Sequence, residues 1–505
     1  MTRTKNSIKN LYISLLSQGV GFLMSFLARF FFVRTLGDEC LGLNGLLTNV
    51  VAVLSLAELG VGEAIIYSLY KPLAVGDTKK VAAIMRLFKK IYTVISIAIA
   101  VLGVAIMPVI PHLANNYSGV YNIYYLYLLF LLNTVVSYLM SYKRNLIIAD
   151  QKRYIATVYR YLFYSAMCVV QSIILILTKN YSLFLVLQVI FTVLENYMLS
   201  KKADKLYPFL KEKNSFSLKE ETRKEISSNT KAMLMHKIGG VVVNSTDNIV
   251  ISSFVSLVAV GLYSNYLLII NGVHTILSQI FTSMMASVGN LCAIESIEEQ
   301  KKIFKSIFLV NFWVYSLFSI CFLFLVNPLI KIWLGESFLF SDGVVMILFL
   351  NMYVTGIRKS ALTFREAKGL FVKDKWKAII ESMMNIILSI ILAQVYGVFG
   401  VFLGTLLSSL FVCVWVEPYI LYKYGFKEKV SKYFKTLISY SVLMGLICML
   451  LSGLFMIRLN NLLVDAIIRL SICLIVPNAI YYLCFRRTKE FCYIATKLLK
   501  RKRKS

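Results

Sequence analysis

Acidic residues are scarce in this chain, with 25 Asp and Glu against 54 Lys and Arg in 505 positions. Charge of either sign is thin, at 16% of residues, while 58% are hydrophobic and mean hydropathy is +0.73. That is more apolar content than the interior of a soluble domain can hide. The nine cysteines contain no C-x-x-C pair, and only Cys40 falls in an expected outer loop, which argues against a disulfide framework or a thiolate metal site. No G-x-x-x-x-G-K-[ST] loop is present, so direct ATP drive is not indicated. The short outer loops hold no gathering of carboxylates or histidines of the kind a membrane polymerase or glycosyltransferase needs. A signal-peptide pattern of n-region, short h-region and A-x-A site is missing from the start, so the first apolar span is expected to be retained. A net charge of +29 and a pI near 9.6 point to nucleic acid in a soluble protein. Here the basic residues sit in short segments between apolar runs, so they report topology and no nucleic-acid partner.

What is present is a series of apolar runs of bilayer-crossing length, about 20 residues each. The chain reads as an all-α polytopic membrane protein with fourteen transmembrane helices. The spans are 11–33, 42–70, 91–110, 121–142, 155–177, 182–200, 232–254, 261–291, 303–326, 343–357, 378–395, 398–422, 434–457 and 462–485. Lys and Arg crowd the amino terminus and every second connection: 71–90, 143–153, 201–231, 301–305, 358–377, 423–435 and the tail from Arg486. The other connections hold only Arg34, Lys179, Lys331 and Arg458. By the positive-inside rule both termini and the basic connections are cytoplasmic. The tail KLLKRKRKS is expected to anchor against anionic lipid.

An internal repeat is visible. Phe32-Val33 recurs as Phe254-Val255 at an offset of 222, GLNGLLTNVVAV at Gly42 as GLYSNYLLIINGV at Gly261 at 219, and RLFKKIYTV at Arg86 as KIFKSIFLV at Lys302 at 216. Pro108 matches Pro328 at 220, and ENYMLSKK at Glu195 matches EPYILYKY at Glu417 at 222. The matches keep their order at nearly one offset, which gives two six-helix repeat lobes plus a C-terminal helix pair. The expected domains are an N-lobe over 1–205, a cytoplasmic linker over 206–230, a C-lobe over 231–425, spans thirteen and fourteen over 426–485, and a basic cytoplasmic tail over 486–505. Parallel repeats of this kind place a transport site between the halves near the midplane.

Polar stripes agree with that placement. In the first span Ser14, Gln18, Gly21, Ser25 and Arg29 fall within a sector of about 80°. Asn44, Thr48, Ser55, Glu58 and Gly62 do so in the second span, Lys237, Gly240, Asn244, Asp247 and Asn248 in the seventh, and Asn265, Gly272, Thr275, Gln279 and Ser283 in the eighth. A shared wet cavity explains four such faces; the alternative for each is small-residue helix packing. Arg160 and Arg469 read as satisfied structural groups or snorkelers, and Glu195 and Glu417 as architectural, ion-pairing with Lys201 or Lys423. His274 lies on one face with Asn271 and Ser278, as a packed histidine or a proton carrier.

The opening NSIKNLYISLLSQGVGFLMSFLARFFFVRTLGDECLGLNG, the seventh-span DNIVISSFVSLVAVGLYSNY and the twelfth-span YGVFGVFLGTLLSS resemble the Wzx-type polysaccharide and O-antigen flippases of the multidrug/oligosaccharidyl-lipid/polysaccharide (MOP) exporter superfamily. The resemblance covers essentially all fourteen spans. It implies two lobes that alternate between inward and outward openings. The implied activity is translocation of undecaprenyl-diphosphate-linked oligosaccharide across the bacterial plasma (inner) membrane for capsule, O-antigen or exopolysaccharide synthesis, with no enzymatic step and no cofactor. Members place basic residues in the cavity to meet the diphosphate, and Arg29 and Lys237 match that role in type and position. Gln18, Asn244, Asn265 and Gln279 are then the sugar-facing groups, and Glu58, Asp247 and His274 the ion-coupling candidates for H+ or Na+. No metal site is expected; the expected partners are the lipid-linked oligosaccharide, membrane lipid and polysaccharide assembly proteins. A lipid II flippase and an ion-coupled multidrug antiporter of the same superfamily are the alternatives.

Overall fold

The computed structural model describes residues 2–55, 61–114, 117, 119–139, 141–211, 220, 246–370, 373, 376–456 and 460–502. All regular structure among them is helical. Ten helices are long and apolar enough to cross a membrane, eleven if one bent pair counts as a single span. Two of these, covering Tyr12–Leu54 and Lys377–Phe426, run through a non-helical glycine and each contain two helical arms. The pattern is that of a multi-pass membrane protein and is consistent with fourteen spans. The chain forms two compact units, Met1–Gly261 and Leu262–Ser505; the expected linker falls mostly outside the described residues.

In the N-terminal unit, α1 (Thr2–Leu54) turns back at Gly37, whose φ of 80° and ψ of −174° suit glycine and few L residues. One residue therefore does the work expected of an outer loop. Cys40 consequently does not lie in a loop: it is buried in the helical arm beyond the turn. After α2 (Val61–Val75), Gly76 and Asp77 connect to α3 (Thr78–Ile106), and Asp77 caps that helix by accepting from the Lys80 amide at 2.9 Å. The basic segment 71–90 is thus largely helix. Hydropathy marks where a helix leaves the apolar region, whereas hydrogen bonding and caps mark where it ends. The fourth span is two helices, α4 (Ile123–Leu139) and α5 (Ser141–Ala149), bent by 44°. The unit continues with α6 (Arg153–Thr178) and α7 (Tyr181–Leu206). The first arm of α1 lies on α6, where a Cβ at Gly21 would meet Tyr161 at 2.2 Å and Ser25 Oγ shares a 2.7 Å hydrogen bond with Tyr164 Oη. This close approach of small residues is how apolar helices associate in lipid.

The C-terminal unit contains α8 (Leu257–Ile294), most of it within the unit, and α9 (Ile297–Trp333), capped by Ser296. The tenth span is again divided, into α10 (Asp342–Ile357) and α11 (Lys359–Ala367). Residue 357 against residue 139 is an offset of 218, within the spread of the sequence repeat. Asn311 Nδ2 reaches the freed carbonyls there, Gly356 at 3.2 Å and Ile357 at 2.7 Å. In α12 (Lys377–Ser408), Gly397 (φ 56°) folds the helix into a hairpin. A Cβ at Gly400 would lie 2.0 Å from the Leu392 carbonyl oxygen and one at Gly404 would lie 2.6 Å from the Ser389 amide nitrogen, so the two arms touch backbone to backbone. The last spans, α13 (Ser431–Leu454) and α14 (Leu462–Phe485), pack on α9 through aromatic rings: Phe312 lies 4.4 Å from Tyr440 and 5.2 Å from Tyr481. The tail forms α15 (Lys489–Lys502), with Phe491 stacked on Trp313 at 6.1 Å.

Candidate functional site: a polar cavity in the N-terminal unit

Glu58, Lys237 and Asn244 lie outside the described residues, and Gln279 is placed in α8 by its backbone alone. Arg29 is half-buried in the first arm of α1, within electrostatic range of the Tyr164 and Tyr181 hydroxyls. Gln18, on the same stripe, has a buried Oε1 with no hydrogen-bond partner among the described residues. Asp247 is buried on the helix 246–254. In the C-terminal unit Asn265 is fully buried, and neither end of its amide finds a partner among the described residues. His274 sits edge-on to Tyr315 with centroids 6.1 Å apart. Several stripe hydroxyls turn back on their own helices: Thr48 donates to the Asn44 carbonyl at 2.6 Å and Ser55 to the Val51 carbonyl at 2.8 Å.

A cavity of about 560 Å³ lies within the N-terminal unit. Its charged lining comes from three neighbouring helices: Arg144 on α5, Arg160 on α6 and Glu195 on α7. Amides and hydroxyls fill the spaces between them, among them Asn133, Ser137, Asn145 and Gln188. Arg144 donates to the Glu195 carboxylate and, at 3.3 Å, to Asn196 Oδ1. Asn145 donates to Tyr92 Oη at 3.1 Å. Tyr164 is also part of the lining, so the hydroxyl that meets Ser25 and lies near Arg29 joins the first-span stripe to this cavity.

The glutamate partners differ from those expected. Glu195 is held by Arg144, while Lys201 lies over the Tyr197 ring at 4.5 Å. Glu417 accepts from Arg358 and Lys377, while Lys423 donates to Tyr419 Oη at 2.8 Å. Both lysines follow their glutamates on the same helix but point outward, whereas the true partners come from other helices.

No family model matches the sequence, and no curated protein matches it. Solved structures do. The lipid II flippase MurJ in an inward closed conformation superposes with a TM-score of 0.67 at 14% identity, covering 95% of this chain and 100% of that one. A multidrug resistance MATE family transporter of the MOP superfamily, inward-facing, gives 0.65 at 14% identity over 82% of this chain and 98% of its own. A Vibrio cholerae MATE transporter gives 0.55 at 14% identity over 85% and 99%. The chain shares the fold of these structures.

Sequence reasoning missed the cavity itself. Arg144 passes as one more basic residue in a positive connection, and Arg160 as a satisfied structural group or a snorkeler. Arg160 lines the cavity, exposed, with no hydrogen bond or ion pair among the described residues. The usable signal is depth: Arg144, Arg160 and Glu195 stand near the same, basic ends of the fourth, fifth and sixth spans.

Proposed function

We propose that this chain is a flippase that moves undecaprenyl-diphosphate-linked oligosaccharide across the bacterial plasma membrane by alternating access, for capsule, O-antigen or exopolysaccharide assembly. The observation that carries the reading is a cavity inside an apolar, membrane-spanning unit that is lined by guanidinium groups, amides and hydroxyls. Guanidinium forks suit the oxygens of a diphosphate, and amides and hydroxyls suit sugar hydroxyls. The prenyl chain stays in lipid. Arg29 and Lys237 are assigned to the diphosphate, Gln18, Asn244, Asn265 and Gln279 to the sugars, and Glu58, Asp247 and His274 to coupling with H+ or Na+. Many weak polar contacts suit a carrier, because a substrate held tightly would not leave. The loop charges support cytoplasmic termini.

The fold is shared with a lipid II flippase and with multidrug transporters, and it supports those two readings equally. Complementation separates them. Expression in a strain lacking its polysaccharide flippase is expected to restore surface polysaccharide and to clear lipid-linked repeat units from the cytoplasmic face. Rescue of cells depleted of their own lipid II flippase, without restored surface polysaccharide, overturns the proposal in favour of lipid II. Drug resistance with neither rescue overturns it in favour of the antiporter.

A further inference from the structure

The two units carry related charge clusters that are balanced differently. In the C-terminal unit Arg358 donates to Glu417 through Nε at 2.9 Å and Nη2 at 2.6 Å, and lies 3.8 Å from Glu381. Lys377 also pairs with Glu417. Two cations face two carboxylates, and no side chain of the four is more than 14% exposed. These four charges balance one another, with Lys359 a further cation within electrostatic range of Arg358 and Glu417. Glu195 is the repeat counterpart of Glu417 at the offset of 222 and likewise takes an arginine from beside the break in the fourth span. Here, however, the one carboxylate pairs with Arg144 alone, and Arg160 lines the same cavity with no acidic partner among the described residues.

The surplus is chemically specific. Arg144 Nε is buried with no hydrogen-bond partner among the described residues, and Arg160 makes no hydrogen bond or ion pair among them. The Arg160 guanidinium is also close enough to Arg144 to act on it electrostatically. Arg144 keeps one unpaired donor and Arg160 is exposed to the same cavity, so an anion entering there meets both guanidiniums. Donors arranged as forks favour tetrahedral phosphate oxygens. The cavity's volume falls in the range of about 300–1,000 Å³ typical of small-ligand sites.

We infer that the N-terminal cavity is a phosphate-binding site in which a phosphate group bridges Arg144 and Arg160. Glu195 holds Arg144 in position and competes with the ligand for it, so affinity stays moderate. The inference rests on the flippase reading for the source of the phosphate, a lipid headgroup, and not for its binding.

The test uses the full-length protein in lipid nanodiscs, with inorganic pyrophosphate titrated by calorimetry and undecaprenyl phosphate added to the nanodisc lipid and followed by native mass spectrometry. Arg160→Gln is expected to weaken binding by roughly tenfold or more, the worth of one charge-assisted hydrogen bond, and Arg160→Lys to recover part. Glu195→Gln is expected to tighten it, because it removes the competitor. Pyrophosphate binding with these responses supports a site that any phosphate can enter, and undecaprenyl phosphate binding without pyrophosphate binding supports a headgroup site. Binding that neither variant changes, absence of binding by both probes, or weakening by Glu195→Gln overturns the inference. Loss of phosphate binding in a chain that still complements a flippase-null strain removes this site alone, whereas phosphate binding in a chain that does not complement removes the flippase reading alone.

Discussion

Glu417→Gln tests whether the fully buried ion cluster of the C-terminal unit is held together by that single carboxylate. The group is 0% exposed and accepts from Arg358 at 2.9 and 2.6 Å as well as from Lys377. Neutralising it leaves Arg358, Lys377 and the nearby Lys359 with Glu381, which is 3.8 Å from Arg358. Removing one partner of such a cluster costs about 3–5 kcal/mol, because the remaining charge is stranded where water cannot reach it. The repeat counterpart provides the control. Glu195 is 17% exposed and borders a cavity, so water can take over its role toward Arg144, and Glu195→Gln is expected to cost about 1 kcal/mol or less. Unfolding in mixed micelles, followed by far-UV circular dichroism, measures both. All four tryptophans, Trp313, Trp333, Trp376 and Trp415, lie in the C-terminal unit, so their fluorescence reports directly on the unit that Glu417→Gln disturbs. A Glu417→Gln protein within about 0.5 kcal/mol of the parent, or a Glu195→Gln effect as large as that of Glu417→Gln, would refute the reasoning.

Further outcomes follow from the site and the topology. Arg29→Ala and Lys237→Ala are each expected to reduce surface polysaccharide at matched membrane expression, with Arg29→Lys recovering only part because a point charge does not replace a fork; normal export in both alanine variants removes these residues from the site. Arg29→Gln and Asp247→Asn, made singly and together, are expected to be non-additive in transport if the two pair in one state of the cycle, and strict additivity rejects the pair. Glu58→Gln is expected to flatten the pH or sodium dependence of transport, and an unchanged profile removes Glu58 from coupling. A cysteine introduced by Glu336→Cys, at a side chain 71% exposed, is expected to react with an impermeant thiol reagent in intact cells while exposed Cys492 does not; the opposite pattern reverses the orientation.

The helical spans among the described residues were legible because hydropathy and charge alternation are local properties that the bilayer imposes along the chain. Helix ends were not, since they depend on caps and backbone geometry: Ser296 and Asp77 start helices outside the apolar runs, and Gly37 and Gly397 each replace a loop with a turn. Cys40 was misplaced for that reason. The cavity was hidden for another. Arg144 and Glu195 are 51 residues apart, and only the packing of α5 against α7 brings them together. Nearby lysines on the same helix, Lys201 and Lys423, offered a closer pairing in sequence but turn toward tyrosine rings instead. The repeat did transmit one long-range fact, because Glu195 and Glu417 align and both anchor an arginine beside a broken helix.

Translocation in a purified system tests the central claim most directly. The protein is reconstituted in vesicles carrying undecaprenyl-diphosphate oligosaccharide extracted from the host strain, and the fraction of saccharide open to an externally added glycosidase is followed in time. The account predicts that saccharide protected in protein-free vesicles becomes accessible when the parent protein is present, and does so much more slowly with Arg29→Ala. Equal accessibility with and without the protein would contradict it.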